Sequence, residues 1–99
     1  MTDEWWLATL GRTIVWARLR VRDAGTAEVF DSDGNTLAYD SEDTARAALM
    51  DAEFVSFDGL DEDDAAVRGF ALGELTPPRQ AGDEASLRAH MVQQLPQRS

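Results

Sequence analysis

The segment from Thr13 to Arg22, TIVWARLRVR, alternates strictly between two sets of side chains and constrains the fold more than any other part of the chain. The odd-numbered positions are small or aliphatic, whereas the even-numbered positions carry Ile14, Trp16 and three arginines. Successive side chains of a β-strand point to opposite faces of a sheet, so this period of two predicts a strand. The next three residues, DAG, predict a hairpin loop whose glycine adopts a positive φ.

A second strand, TAEVFD, is predicted to return antiparallel to the first. A three-residue loop sets the register, which places Val21 opposite Ala27 and Leu19 opposite Val29. Arg20 then lies opposite Glu28, which suggests a cross-strand ion pair.

The segment VFDSDGNTLAYDSED, residues 29–43, raises a choice between a calcium loop and a second hairpin. An EF-hand loop that starts at Asp31 has ligands at Asp33, Asn35 and Glu42, but Thr36 occupies the position that requires glycine. A start two residues earlier places Gly34 correctly, but makes Val29 the first ligand and Asp40 the last. The flanking residues alternate as strands, whereas an EF-hand requires helices, so the sequence favours a two-residue type I′ hairpin at DG.

This hairpin places Phe30 opposite Leu37 and Val29 opposite Ala38. A β-meander over about 13–40 is therefore predicted, with Leu37 and Tyr39 on the face that carries Trp16. Both faces of this sheet carry apolar residues. Either helices cover part of each face, one face meets a partner, or a bulge shifts Phe30.

The rest of the chain predicts helices over about 41–53, 61–69 and 83–95, with an extended segment, EFVSFDGL, between the first two. The first helix has an alanine-rich stripe and is expected to pack on the small-residue face of the sheet. Leu87, Met91 and Leu95 have helical spacing in the third. Residues 76–82 are expected to form a flexible Pro/Gly loop and 96–99 a frayed end. Residues 1–99 are interpreted as a single small α+β domain with a three- to four-stranded antiparallel meander.

The chain contains no cysteine, which excludes disulfides, thiolate metal sites and cysteine nucleophiles. The apolar run from Trp5 to Leu10 is too short for a signal peptide or a membrane span, so a cytoplasmic location is expected. All nine basic residues are arginine, a composition typical of GC-rich bacteria.

Few residues of the chain lie in a sequence context that supports catalysis. His90 is the only histidine, and it is interpreted as an ordinary residue on the flank of a helix. The serines lack a nucleophile elbow, GFALG lacks the spacing and the lysine of a phosphate loop, and most carboxylates fall in turns or at helix starts. The chain is therefore predicted to be non-enzymatic, with no cofactor and no metal.

Charge gives the strongest functional indication. The net charge is −10, and residues 23–64 carry fourteen acids and one arginine. The predicted function is a protein-interaction domain that binds a basic protein partner through an acidic surface, whereas nucleic acid and membranes are expected to be repelled. The candidate residues lie before and in the second predicted helix: Asp58, Asp61, Glu62, Asp63 and Asp64. A solubilising role alone is the competing interpretation.

Four alternatives remain open. The row Trp16, Arg18 and Arg20 could bind nucleic acid or nucleotides by stacking, although a solvated strand face is the simpler interpretation. The acidic surface could imitate nucleic acid, as in a toxin-neutralising inhibitor. Asp31, Asp33 and Asn35 could bind a divalent metal. One sheet face could form a homodimer.

Overall fold

A computed structural model describes residues 2–78 and 83–95, except for the side chains of Thr2 and Glu84. In this part of the chain, six strands form an antiparallel sheet and three α-helices accompany it, which confirms the predicted α+β class. The elements are β1 Thr2–Leu10, β2 Thr13–Val21, β3 Ala27–Phe30, β4 Thr36–Tyr39, α1 Glu42–Asp51, β5 Val55–Ser56, α2 Glu62–Val67, α3 Glu84–Ala89 and β6 Val92–Gln94.

The second strand, β2, is the centre of the sheet. The strands lie in the order β4-β3-β2-β1-β5. β1 pairs with β2 along its whole length, from Thr2 opposite Val21 to Leu10 opposite Thr13. On the other edge of β2, β3 pairs with residues 18–21 and β6 with residues 13–15. Three strands therefore depend on β2 for their backbone hydrogen bonds.

The first strand extends the sheet beyond the predicted meander, since the sequence analysis began the meander at residue 13. β1 joins β2 through the two-residue turn Gly11-Arg12, and Gly11 has a φ of 60°. A glycine at the first central position is typical of a type II′ turn, whose twist matches that of the flanking strands.

The hairpin between β2 and β3 is confirmed as predicted. Val21 lies opposite Ala27, Leu19 opposite Val29 and Arg20 opposite Glu28. The backbone N–H of Gly25 donates to the carbonyl oxygen of Arg22, and Gly25 has a φ of 86°. The ion pairs here join Glu28 to Arg22 and Arg20 to Asp3, whereas the sequence predicts a pair between Arg20 and Glu28.

The hairpin between β3 and β4 is confirmed as a hairpin, but the predicted two-residue loop is wrong. Phe30 lies opposite Thr36 and Val29 opposite Leu37, one residue from the predicted register. The turn is the three-residue kind seen in the first hairpin, with a bond from the Gly34 N–H to the Asp31 carbonyl oxygen and a φ of 87° at Gly34. An Asp31 carboxylate oxygen also accepts hydrogen bonds from the backbone N–H groups of Asp33 and Asn35.

This shift reverses the faces of β4, because side chains alternate with a period of two. Leu37 and Tyr39 lie on the face of Val29, and Ala38 lies on the opposite face with Glu28. Tyr39, and not Ala38 as predicted, packs against the buried cluster beneath α1.

Helical and irregular segments cover both faces of the sheet, which was one of the three predicted solutions. On one face, α1 packs on Trp6, Ala17, Leu19 and Val29 through Ala45 and Leu49, as predicted. On the other face, described segments between residues 57 and 95 cover a second cluster. Its buried members are Trp5, Leu7, Ile14, Trp16, Phe30, Ala65, Phe70, Leu75, Leu87, Met91 and Leu95.

The third predicted helix is shorter than expected. α3 ends at Ala89, and Val92–Gln94 forms β6 on the edge of β2. Met91 and Leu95 are buried with Leu87 as the sequence pattern required, but a spacing of four is also compatible with a strand, in which every second residue shares a face. The predicted loop 76–82 lies partly, and the frayed end 96–99 wholly, outside the described residues.

We expect Gly25→Ala to lower the free energy of unfolding by about 1 kcal/mol, because the left-handed backbone at this loop strains any residue with a Cβ. An added Cβ would meet no atom within 4 Å, so this cost is conformational and not steric. Gly73→Ala is the matched control, since a Cβ is also unobstructed there and the φ is not positive. Urea titrations of both variants test the prediction, and an equal effect at the two positions would contradict it.

Candidate acidic surface and apolar groove

The five predicted acidic residues lie on one short stretch at the start of α2, and all five side chains are exposed. Asp58 lies in a 3₁₀ turn at Phe57–Gly59. Asp61 is the N-cap of α2, and its carboxylate accepts a hydrogen bond from the backbone N–H of Asp64 at 2.8 Å. Glu62, Asp63 and Asp64 occupy the first helical turn, where the helix macrodipole favours negative charge. We call these five residues the acidic surface.

Arginines engage many of the acids elsewhere in the chain. Arg46 on α1 contacts Glu4 of β1 and also Glu42 and Asp43 of its own helix. Further ion pairs join Arg20 to Asp3, Arg22 to Glu28 and Arg12 to Glu74.

The first turn of α2 differs from these sites. Within residues 2–78 and 83–95, Glu62, Asp63 and Asp64 form no ion pair. The negative charge at the start of α2 is therefore less compensated than the negative charge on β1, β3 and α1.

An apolar groove lies beside the acidic surface. It consists of two adjoining cavities of about 620 and 330 Å³. Met50, Phe54, Val55 and Arg68 line both cavities. The larger cavity extends along Leu7–Leu10 of β1, and the smaller one reaches Asp64.

The groove is not predicted by the sequence. Leu10 and Met50 are 73% and 58% exposed, respectively. The exposure of Met50 could have been anticipated, because it lies outside the apolar stripe of its helix. Exposed apolar residues that share one groove are typical of a contact surface, whereas single ones are not.

In the row Trp16, Arg18 and Arg20, the arginines are half-buried but Trp16 is not solvated, contrary to the simpler interpretation from sequence. Trp16 is fully buried, with its ring edge-to-face against Trp5 at 6.3 Å and Phe57 at 5.5 Å between ring centroids. The Arg18 guanidinium lies 5.3 Å from the centre of the Phe30 ring, and Arg20 pairs with Asp3. The reason is that segments between residues 57 and 95 fold over this face, so Trp16 cannot stack on a nucleotide from outside.

The remaining candidate residues lie in the second hairpin and after α3. Within the described residues, no three or more His, Cys, Asp or Glu side chains are arranged to hold a metal ion. The Asp31 carboxylate is engaged with the hairpin backbone. His90 is the exposed residue that follows α3. Among the residues that the structure describes, none of the helices has the length and apolar composition needed to cross a membrane.

Two carboxyl groups on β1 have lowered pKa values. A hydrogen bond from Arg46 is the largest cause at Glu4, where the indole N–H of Trp6 also donates at 3.2 Å, and partial burial opposes the shift. A hydrogen bond from Arg20 is the largest cause for the lowered pKa of Asp3. Neither residue belongs to the acidic surface, and both ion pairs hold β1 to its neighbours.

Comparison with known proteins gives no match to a family model, to a curated protein or to a solved structure.

We expect the Glu4–Arg46 contact to contribute to the pH dependence of stability. The folded-state pKa of Glu4 lies below its ordinary value of 4.5, so the contribution is present above that value and is lost as the pH falls through the folded pKa. In Glu4→Gln, stability should therefore decrease less than in the parent between about pH 5 and about pH 3.

Urea unfolding across this pH range measures the effect. Asp51→Asn is the control, because Asp51 is exposed and forms no ion pair with a described residue. A pH dependence in Glu4→Gln as steep as that of the parent would show that the contact does not contribute.

Proposed function

We propose that this chain is a non-enzymatic protein-interaction domain that binds a basic protein partner through the acidic surface. We further propose that it acts in the cytoplasm of a bacterium, on the grounds of its lack of cysteine and its exclusive use of arginine as the basic residue.

The observation that carries this proposal is that arginines compensate the carboxylates at the start of α2 less than those on β1, β3 and α1. Glu62, Asp63 and Asp64 are exposed and lack ion pairs within the described residues, whereas arginines engage acids on β1, β3 and α1. Uncompensated carboxylates attract cationic partners at long range and raise the rate of association.

The groove supports the proposal independently of charge. Charged residues alone give fast but weak association, and stable complexes also require buried apolar contacts. Met50 and Phe54 line an apolar depression that reaches Asp64, so one partner could contact both the groove and the acidic surface.

No observation favours the nucleic-acid alternative, because Trp16 is buried and α2 presents negative charge. The imitation of nucleic acid by the acidic surface is a special case of the same proposal, in which the partner is itself a nucleic-acid-binding protein.

We expect the triple variant Glu62→Gln, Asp63→Asn, Asp64→Asn to weaken partner binding roughly tenfold, if each neutralised contact is worth about 0.5 kcal/mol. Asp61 is kept because it caps α2. The matched control is Asp33→Asn, Asp40→Asn, Asp51→Asn, which changes the net charge equally, from −10 to −7, at other exposed positions.

The three proteins are immobilised in parallel and exposed to nuclease-treated lysate of the source organism. A salt gradient then elutes the bound proteins, which mass spectrometry identifies. A basic protein retained by the parent and the control, and released at lower salt from the α2 variant, is the expected result. Equal retention by both triple variants would refute a specific role for the acidic surface.

A further inference from the structure

One edge of β1 is open next to the groove. β1 pairs with β2 from Thr2 to Leu10, but on its other edge β5 pairs only with Trp6 and Leu7. In the described part of the chain, no strand pairs with the outer edge of Ala8–Leu10. The larger cavity lies along this same stretch.

The register identifies which backbone groups point outward. Leu10 and Thr13 flank a two-residue turn and therefore exchange hydrogen bonds with each other. Hydrogen-bonded and non-hydrogen-bonded pairs alternate along an antiparallel ladder, so the N–H and C=O of Thr9 point away from β2. The same alternation turns the backbone groups of Leu7 outward, where Val55 of β5 lies opposite.

The chain itself bends away from this edge. Residues that precede β5 would cover Ala8–Leu10 if they continued its line, but α1 ends there. Glu53 has a φ of 67°, and the N–H of Phe54 donates to the carbonyl oxygen of Leu49 at 2.9 Å. This left-handed end of the helix, typical of a Schellman motif, directs the backbone back towards α1.

The walls of the groove indicate what kind of segment fits. Ala8 and Leu10 alternate with Thr9 along β1, and the exposed Met50 and the half-buried Phe54 line the same cavity. The lining includes Glu53, Asp64 and Arg68, and residues 51–68 as a whole carry seven acids and this one arginine. Apolar side chains at alternate positions would meet the apolar wall, and basic side chains would meet the negative surroundings.

We propose that an extended, basic segment of the partner adds to the sheet as a strand along Ala8–Leu10. Its backbone pairs with the outward N–H and C=O of Thr9, and its alternate apolar side chains enter the groove beside Leu10, Met50 and Phe54. This binding mode is β-strand addition, in which backbone hydrogen bonds supply affinity and side-chain pockets supply specificity. The proposal rests on the proposed function, since it specifies how the partner of the acidic surface binds.

The test uses a synthetic peptide of alternating arginine and valine, seven residues long and blocked at both ends. Binding to the uniformly ¹⁵N-labelled protein is followed by amide chemical shifts and hydrogen exchange. We expect the largest shifts at Ala8–Leu10, slower exchange of the Thr9 amide, and cross-strand nuclear Overhauser effects between Thr9 and the peptide. Thr9→Pro removes the outward N–H and should weaken binding about tenfold, whereas Thr9→Val, which keeps it, should not.

A second peptide keeps the test informative if the proline variant does not fold. It has the same sequence with N-methyl groups on alternate residues, which blocks strand pairing while it preserves charge, and it should bind at least tenfold more weakly. Equal binding of both peptides, with shifts confined to residues 61–64, would overturn strand addition and leave the proposed function intact. Absence of binding by the unmodified peptide, or self-association of the protein that Thr9→Pro abolishes, would also overturn it.

Discussion

The burial of both faces of β2 is the constraint on which the rest of the structure depends. Trp16 and Ile14 on one face and Ala17 and Leu19 on the other are each almost completely buried, so a single covering layer could not satisfy this strand. α1 covers the small-residue face, where alanine side chains let a helix approach closely. The opposite face requires a larger covering layer of side chains, because the indole of Trp16 projects from it. Two 3₁₀ turns, Phe57–Gly59 and Leu72–Glu74, together with α2, α3 and the residues that flank β6 provide this cover.

Local rules predicted the parts of the fold that local interactions determine. The first hairpin, the capped start of α1 at Ser41 and the start of α2 at Asp61 follow from loop chemistry and capping residues within a few positions. The second hairpin departs from the prediction: DG favours a two-residue turn, but SDG repeats the glycine spacing of DAG and forms the same three-residue loop. β1 alternates on a period of two, but both of its faces are apolar, so the run Trp5–Leu10 lacked the polar contrast by which strands are recognised. The strand β6 is not predicted because the buried residues that flank it, Met91 and Leu95, have a spacing that is also helical.

The acidic surface could be predicted from sequence, whereas the groove could not. Charges that are adjacent in the chain remain adjacent in space, and the capping role of Asp61 follows from its position before a helix. The groove depends on tertiary arrangement: Leu10 and Phe54 are distant in the chain and meet only because β5 pairs with β1. The open edge at Thr9 likewise results from the angle at which the chain leaves α1. Contact surfaces of this kind form where strands and helices end against one another. A local sequence pattern does not predict this tertiary arrangement.

The distribution of ion pairs connects stability with the proposed binding. Arg46 pairs with Glu4 and Arg20 pairs with Asp3, so these two arginines hold β1 against α1 and β2. The carboxylates at the start of α2 repel one another, and the dipole of a six-residue helix offsets this repulsion only in part. A cationic partner would remove that repulsion as well as form new contacts. Its binding free energy would therefore include a contribution that would be absent if the surface of the domain had the same shape but no charge. This relief decreases with ionic strength, whereas apolar contacts in the groove do not, so the salt dependence of affinity would separate the two contributions.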